Sequence, residues 1–236
     1  MTALQHTIAG TVLTMPVKIR KATQHNAMCA VDADAAQRLI DYSGLQVYRP
    51  LPRRAIVTLI LTHFIDGDLG TYYEYSTCVM VKPPGAGAAA LQSAFVQHMF
   101  VDQAFTLEAG RTIWGFPKVM SDFAIRAGKQ FGFDASIDGQ LVVSMEFSPG
   151  VRFPSALTSR EQELRAYSCL EGLTRESRYE VSFHGARYRP GGARVRLGEH
   201  PYAKELASLG FPKRALVSSS AASVEMSFGD AQEVRQ

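Results

Sequence analysis

The sequence predicts a mainly β protein of the α+β class, folded as a closed or nearly closed antiparallel β-barrel with a few short peripheral helices. Short runs rich in β-branched and aromatic residues outnumber helix-like stretches along the chain. Tight turns join several of these runs: Asp138-Gly139 suits a hairpin because both residues tolerate positive backbone torsions, and Pro190-Gly191-Gly192 marks another break. A barrel accommodates many short strands while leaving few exposed strand edges.

The strongest strand signal is Arg54 to His63, a run of β-branched and apolar residues that we expect to be largely buried. Along Tyr72 to Lys82 the side chains alternate between two faces, which places Glu74 on one face with small and soft residues. Further strands are predicted at Val119 to Arg126, Phe131 to Ile137, Leu141 to Ser148, Tyr179 to Tyr188, Ala193 to Leu197, Ala215 to Ser220 and Ser223 to Phe228.

Four helices are predicted. They cover Asp32 to Tyr42, Thr106 to Trp114, Ser159 to Leu173 and Pro201 to Leu209. Ser159 and Gln162 have the spacing of a capping box at the start of the third helix. The stretch Gly85 to Ala90 reads as a flexible or tightly turning connection, and it lacks the Lys-Ser/Thr ending of a phosphate-binding loop.

Composition and charge limit the classes of protein. With 236 residues, of which 46% are hydrophobic and 20% charged, the chain can bury a substantial core, and we expect one domain over residues 1–236. A formal charge of +3 is too small and too dispersed to indicate nucleic-acid binding. We expect a cytoplasmic protein without membrane contact, because the sequence shows no leader pattern and no run of about 18 apolar residues.

The cysteines and histidines show no metal-binding pattern. Cys29, Cys78 and Cys169 are widely separated, which favours buried thiols in a reducing compartment over a disulfide framework. The six histidines are dispersed, and none forms a paired ligand motif with an acid. We expect neither a metal nor a cofactor.

The tetrapeptide Gly115-Phe116-Pro117-Lys118 carries the main chemical signal. Gly115 can end a helix in the left-handed conformation, and Pro117 prevents the helix from continuing, so Lys118 should begin a strand. A free lysine has a pKa of about 10.4, and removal from water favours its neutral form. With Trp114 and Phe116 nearby, Lys118 is a candidate nucleophile toward a carbonyl group; the alternative is an ordinary solvated lysine.

A second copy of the same tetrapeptide, Gly210 to Lys213, also lies between a predicted helix and a predicted strand. Lys213 precedes the cationic Arg214, which could lower a neighbouring lysine's pKa, whereas Lys118 precedes Val119, which can act only by excluding water. The local pattern therefore does not choose between the two lysines.

The segment Glu108 to Lys118, EAGRTIWGFPK, resembles the active-site signature of the acetoacetate decarboxylase family, whose lysine forms a Schiff base. Three other segments, Asp32 to Ile40, Gly67 to Val81 and Val217 to Ser220, are also similar to parts of that family, so the resemblance spans most of the chain. It implies that Lys118 is the nucleophile. It also implies a barrel fold and a homo-oligomer.

The resemblance implies roles for further residues. Glu74 falls where the family keeps an acidic group near the imine, and without the resemblance it would read as an exposed strand carboxylate. Arg20 or Lys21 is the counterpart of an early arginine that helps to bind the substrate carboxylate. Trp114 and Phe116 are candidates for an apolar wall that lowers the local dielectric constant, with core packing as the alternative role.

Two departures from the family pattern leave the reaction open. Val119 replaces a second lysine that decarboxylases of the family commonly have after the nucleophile, and an additional acidic residue is replaced at about Leu59. We predict a Schiff-base-forming lyase that decarboxylates acetoacetate or a related 3-oxo acid. The alternatives are an aldolase-dehydratase for pyruvate-type 2-oxo acids and a barrel that binds a hydrophobic acid without turnover.

Overall fold

A computed structural model describes residues 4–84, 92–154 and 159–234. The predicted connection at Gly85 to Ala90 lies outside the described residues. In chain order the strands are β1 (Gln5–Ile8), β2 (Thr11–Thr14), β3 (Val17–Asp32), β4 (Gln46–Val47), β5 (Arg54–Gly67), β6 (Tyr72–Lys82), β7 (Ser93–Val101), β8 (Lys118–Met120), β9 (Asp122–Arg126), β10 (Phe131–Ile137), β11 (Gln140–Phe147), β12 (Val151–Arg152), β13 (Gln162–Leu170), β14 (Leu173–His184), β15 (Arg187–Pro190), β16 (Ala193–Leu197) and β17 (Val217–Glu233). The α-helices of the described residues are α1 (Ala33–Ile40), α2 (Ala104–Trp114) and α3 (Pro201–Ser208).

Seven strands form a closed barrel in the order β3-β5-β6-β7-β13-β14-β17, and the pairing of β17 with β3 closes it. All neighbouring pairs are antiparallel except β7 with β13, which run parallel. The parallel pair is possible because the chain makes a long excursion through α2 and a second sheet between these two strands. The predicted mainly β barrel with short helices is therefore confirmed.

A second, four-stranded antiparallel sheet, β16-β11-β10-β9, packs on the outside of the barrel. Phe133 and Met145 of this sheet belong to an outer cluster of buried residues that includes Leu59, Tyr75 and Phe95 of the barrel. The predicted hairpin turn joins β10 to β11, with φ of 49° at Asp138 and 74° at Gly139.

A second cluster of buried residues, the inner cluster, lies on the lumen side of the barrel wall. It contains Phe64, Met99 and Met226 from the barrel strands together with Ala109 and Trp114 of α2. Because the two faces of each strand point to different clusters, alternate residues face the lumen and the outer core. Helix α2 packs against the inner cluster, and the short segment after the helix leads to Lys118 at the start of β8.

The predicted helix over Ser159 to Leu173, with its capping box, is wrong. Gln162–Leu170 instead form β13, which pairs with β14 over its whole length and with β7 over three residues. Leu164 and Ala166 face the inner cluster while Tyr167 faces the outer one. Pairing with strands distant in sequence has overridden the local helical preference of this segment.

The other predicted helices are confirmed with small shifts at their ends. Helix α1 is capped by Asp32, whose carboxylate accepts hydrogen bonds from the backbone of Asp34 and Ala35. Helix α2 begins two residues earlier than predicted because the side chain of Gln103 caps it. None of the helices within the described ranges combines the length and the apolar composition needed to cross a membrane.

Candidate active site

The geometry around Lys118 starts at the end of α2. Gly115 adopts φ of 65°, and its N–H donates to Arg111 O at 3.2 Å, while the Phe116 N–H donates to Gly110 O at 3.0 Å. This left-handed cap is the one that the sequence predicts. The chain then enters β8, where Lys118 lies opposite Met99 in the parallel pair with β7.

The Lys118 side chain is buried, with 3% of its surface exposed. Its Nζ lies 2.8 Å from Glu74 Oε2 and donates to Thr106 Oγ1 at 2.9 Å. The amine also lies 5.3 Å from the centre of the Tyr72 ring, within the range of a cation–π contact. Glu74 is 12% exposed, so the structure brings together the predicted nucleophile and the predicted acid inside the protein.

Thr106, which the sequence pattern does not mark as a site residue, is fully buried and contacts both Lys118 and Tyr72. Burial, reinforced by the charge of Glu74, raises the pKa of Tyr72 well above its usual value, so this phenol stays protonated. The spacing contains a usable signal: Thr106 and Gly110 are four residues apart and therefore lie on the same face of α2.

The residue after Lys118 points away from the lumen. Val119 packs against the outer cluster and lies opposite Phe100 in the β7–β8 pair. Leu59, the site of the other departure from the family pattern, is also fully buried in the outer cluster. The side chains at these two positions therefore do not face the space around Lys118.

The lumen holds a cavity of about 240 Å³. Its wall comes from β3, β5, β6, β7, β13, β14 and β17 and from Phe116, and the lining residues on β6 are Glu74, Ser76, Cys78 and Met80. A smaller space of about 30 Å³, lined by Lys118 and Trp114, lies next to it. Phe64, Glu74, Phe116 and Phe228 border both spaces, whereas Lys118 lines only the smaller one.

The structure does not bring Arg20 and Lys21 together with Lys118. Both side chains are exposed on β3, and neither lines the two spaces. Arg20 donates hydrogen bonds to Asp66 and Asp68 on the protein surface, and these bonds raise the pKa of its guanidinium. The register between β3 and β5 shifts at this point.

Trp114 and Phe116 are both buried beside the amine. Trp114 donates from Nε1 to Gly229 O at 2.8 Å, and its ring lies 6.0 Å from that of Phe116. Both aromatic side chains also belong to the inner cluster. They therefore combine a packing role with a position on the wall next to Lys118.

The second tetrapeptide has a different environment. Lys213 is partly buried, and its amine donates to Ala30 O and Leu209 O, both at 3.0 Å. The acceptors in these two hydrogen bonds are backbone carbonyls and not carboxylates. Burial lowers the pKa of Lys213. The Leu209 carbonyl lies at the end of α3, which indicates a structural role for this lysine.

Gly110 leaves room for the Lys118 side chain. A Cβ added at Gly110 would lie 2.5 Å from Cδ and Cε of Lys118 and 3.2 Å from Nζ. Gly110→Ala should therefore displace the amine from Glu74 and Thr106 and lower kcat/KM about tenfold to a hundredfold. Steady-state kinetics checks this, with Gly128→Ala as the control, since its added Cβ has no neighbour closer than 3.7 Å. Equal losses in both variants would contradict the expectation.

Within the residues that the structure covers, no group of three or more His, Cys, Asp or Glu side chains is arranged to hold a metal ion. The chemistry that the site offers comes from an amine, a carboxylate and two hydroxyl groups: Lys118, Glu74, Thr106 and Tyr72.

The fold and the site define a β-barrel protein with a buried lysine–glutamate pair at the wall of its lumen. The family model for acetoacetate decarboxylase (ADC) matches residues 6–232. The chain therefore belongs to the acetoacetate decarboxylase family, an enzyme family, as the EAGRTIWGFPK segment predicts.

Solved structures share the fold. An acetoacetate decarboxylase structure is 17% identical over 93% of this chain and 89% of its own, with a TM-score of 0.70. Acetoacetate decarboxylase from Legionella pneumophila is 15% identical over 93% of this chain and 87% of its own, also at 0.70. The enduracididine biosynthesis enzyme MppR, complexed with pyruvate, is 18% identical over 94% and 91%, at 0.57. No curated protein sequence matches this chain.

Proposed function

We propose that this protein is a Schiff-base-forming lyase that decarboxylates acetoacetate or a related 3-oxo acid. The observation that carries the proposal is the placement of the Lys118 amine, which is buried, lies 2.8 Å from Glu74, and lines a small space that shares Glu74 and Phe116 with a larger, mostly apolar cavity. A surface lysine would lack both the carboxylate at hydrogen-bond distance and the exclusion of water.

The first step is formation of the imine. Glu74 takes a proton from the ammonium of Lys118 across the 2.8 Å contact, which frees the amine to attack the ketone carbon. The resulting carbinolamine loses water when Glu74 returns the proton to the leaving hydroxyl group. The product is an iminium ion whose positive charge lies beside the Glu74 carboxylate, where it is stabilised.

The second step breaks the bond between the carboxylate carbon and its neighbour. Its electron pair moves into the iminium, which leaves an enamine and carbon dioxide. The lining side chains Ile60, Phe64 and Met99 offer a carboxylate little solvation, which favours its conversion to neutral carbon dioxide. Protonation of the enamine carbon and hydrolysis of the imine then release a ketone and regenerate Lys118.

Neutral hydrogen-bonding groups lie beside Glu74 on the inner wall. Gln24, Thr62 and Glu74 are cross-strand neighbours on β3, β5 and β6, and Gln24 Nε2 donates to Thr62 Oγ1 at 3.1 Å. We assign the orientation of the substrate carboxylate to Gln24 and Thr62 instead of Arg20 or Lys21. Weak neutral donors suit a carboxylate that must leave.

The second candidate is an aldolase-dehydratase that uses the same imine. MppR has this fold and is described in complex with pyruvate and with the condensation product of pyruvate and imidazole 4-carboxaldehyde. In that reaction the enamine would attack an aldehyde, and Glu74 would transfer protons during loss of water. A barrel that binds a hydrophobic acid without turnover is the remaining alternative.

Reductive trapping separates these functions. The protein is incubated with 2-oxo and 3-oxo acids, reduced with borohydride, and searched for an adduct by mass spectrometry. An adduct on Lys118 supports an enzyme, whereas no adduct with any oxo acid would leave only the binding barrel. Carbon dioxide release from acetoacetate, compared with condensation of pyruvate and an aldehyde, then decides between the two reactions.

Thr106 should act as a positioning residue for Lys118. Thr106→Val keeps the shape of the side chain but removes the acceptor 2.9 Å from Nζ, so we expect kcat to fall about tenfold with little change in KM. Thr106→Ser, which restores the hydroxyl group, should recover most of the rate. If Val and Ser lower kcat equally, the loss reflects packing and the positioning role is wrong.

A further inference from the structure

The cavity continues well beyond the lysine–glutamate pair. Glu74, Ser76, Cys78 and Met80 occupy successive inward positions on β6, and all four line the cavity. At about 3.3 Å per residue, the distance along the strand from Glu74 to Met80 is roughly 20 Å. Acetoacetate, whose ketone carbon carries one methyl group and one CH2–carboxylate group, would leave the part beyond Ser76 unfilled.

The distant part of the cavity is mostly apolar, with Thr58, Gln92 and Ser93 as polar members of its lining. Its apolar side chains include Met28 of β3, Cys78 and Met80 of β6, and Val96 of β7. Ala94 and Ala166, which are register neighbours on β7 and β13, are small and therefore leave the space open. Such a lining suits a hydrocarbon chain.

The charged residue of this region is engaged elsewhere. Arg165 borders the cavity, but its guanidinium lies 3.8 Å from Glu176 and 3.9 Å from Glu163. Its strand neighbour Tyr167 faces the outer cluster and donates to Glu176. The acidic partners of Arg165 therefore compete with any substrate carboxylate in the distant part of the cavity.

The small space that Lys118 lines limits the size of the ketone substituent that lies beside the amine. At about 30 Å³ it has room for a group of about the size of one methyl or one water molecule. Its further lining by Ile19, Leu69 and Trp114 makes it unsuitable for a carboxylate. The carboxylate and any chain must then both lie on the side of the large cavity.

We propose that the substrates are acetoacetates that carry an apolar chain on C2, the carbon between the ketone and the carboxylate. The methyl group of the ketone occupies the small space, the carboxylate lies toward Gln24 and Thr62, and the chain extends past Cys78 toward Met80. This assignment rests on the proposed function, because the ketone must reach Lys118.

The test compares kcat/KM for acetoacetate and for acetoacetates with methyl, butyl and hexyl groups on C2, after subtraction of spontaneous decarboxylation. We expect a rise of about fourfold per methylene until the cavity is filled. Straight-chain 3-oxo acids of equal carbon number, with an unsubstituted C2, should react no faster than acetoacetate. A flat series, or a preference for the straight chains, would overturn the proposal.

Two variants test where the alkyl chain of the substrate lies. Ala94→Phe fills the distant part of the cavity and should lower the ratio of kcat/KM for the hexyl compound over acetoacetate by tenfold or more. Ala124→Phe, on an exposed position of β9, should leave the ratio unchanged. If Ala94→Phe does not fold, the wild-type series still decides the proposal.

Borohydride trapping with acetoacetate distinguishes failure of the proposed substrate class from failure of the proposed lyase function. An adduct on Lys118 together with a flat chain-length series would refute the substrate class and leave the lyase function standing. The absence of an adduct with every oxo acid in the series would refute both.

Discussion

Replacing Lys118 with alanine should abolish both the borohydride-trapped adduct and turnover, with a loss of about 10³-fold or more in kcat/KM. The amine is the group that forms the covalent bond, and nothing else in the described site can replace it: Glu74 and Thr106 offer only oxygen atoms. Mass spectrometry of the reduced protein and a carbon dioxide assay measure the two effects.

Lys213→Ala is the matched control, since it removes the lysine of the second Gly-Phe-Pro-Lys copy. That amine binds Ala30 O and Leu209 O, so its loss should lower stability slightly and leave the adduct in place. Thermal unfolding of both variants shows whether each is folded. Loss of the adduct in Lys213→Ala, with labelling retained in Lys118→Ala, would show that the second copy carries the nucleophile.

The two copies of Gly-Phe-Pro-Lys illustrate how far local sequence predicts structure. Gly115 and Pro117 predict the end of α2 and the start of an extended segment because both effects are local to the backbone. The same reasoning applies equally to Gly210 and Pro212. Local sequence therefore predicts the positive φ of both Gly115 and Gly210, but Lys118 begins β8 whereas Lys213 lies outside a strand, and the packing of the barrel distinguishes their environments.

The alternation of residues on β6 was also predictable. A strand repeats every two residues, so Glu74 shares its face with Ser76 and Met80 whichever strands lie beside it. Which of the two faces points into the lumen depends on closure of the barrel by β3 and β17, whose paired residues are far apart in sequence. The pairing of Glu74 with Lys118 could thus come only from the resemblance or from the structure.

Segments whose conformation depends on distant partners were predicted least well. β7 (SAFVQHMFV) is buried on both faces and was not predicted as a strand, and neither was the 16-residue β3. The segment from Gln162 to Leu170 was predicted to be helical, yet its neighbours in β14 and β7 make it a strand. The two predicted strands between Ala215 and Phe228 are one continuous strand, β17.

The position of Arg20 follows from the same dependence on distant partners. The sequence places it near the start of the chain without fixing its register, and the structure shows a register shift between Ile19 and Ala22 in the pairing with β5. Ile19 and Ala22 face the inner cluster, so Arg20 and Lys21 between them are exposed. A shift of this kind reverses the face of a side chain.

Glu74→Gln should lower kcat by about 10² to 10⁴, the range expected for loss of a general acid–base group. The amide keeps nearly the same shape and can still contact Nζ of Lys118, but it neither accepts the proton of the ammonium nor neutralises the iminium. One opposing effect exists, since removal of a negative charge favours loss of the proton from a neighbouring ammonium. Proton transfer should dominate, because imine formation and imine hydrolysis both require it and the Lys118 side chain is only 3% exposed.

Glu74→Gln and Lys118→Ala should differ in whether borohydride traps an adduct on residue 118. The glutamine variant retains the nucleophile, so borohydride should still trap an adduct on Lys118 after long incubation, at a rate reduced in parallel with kcat. Glu225→Gln, at a carboxylate side chain that is 60% exposed and distant in sequence, is the control and should match the wild type. If Glu74→Gln keeps kcat within about threefold of the wild type, the carboxylate only holds the lysine in place, and the proton transfers must go through Thr106, Tyr72 or water.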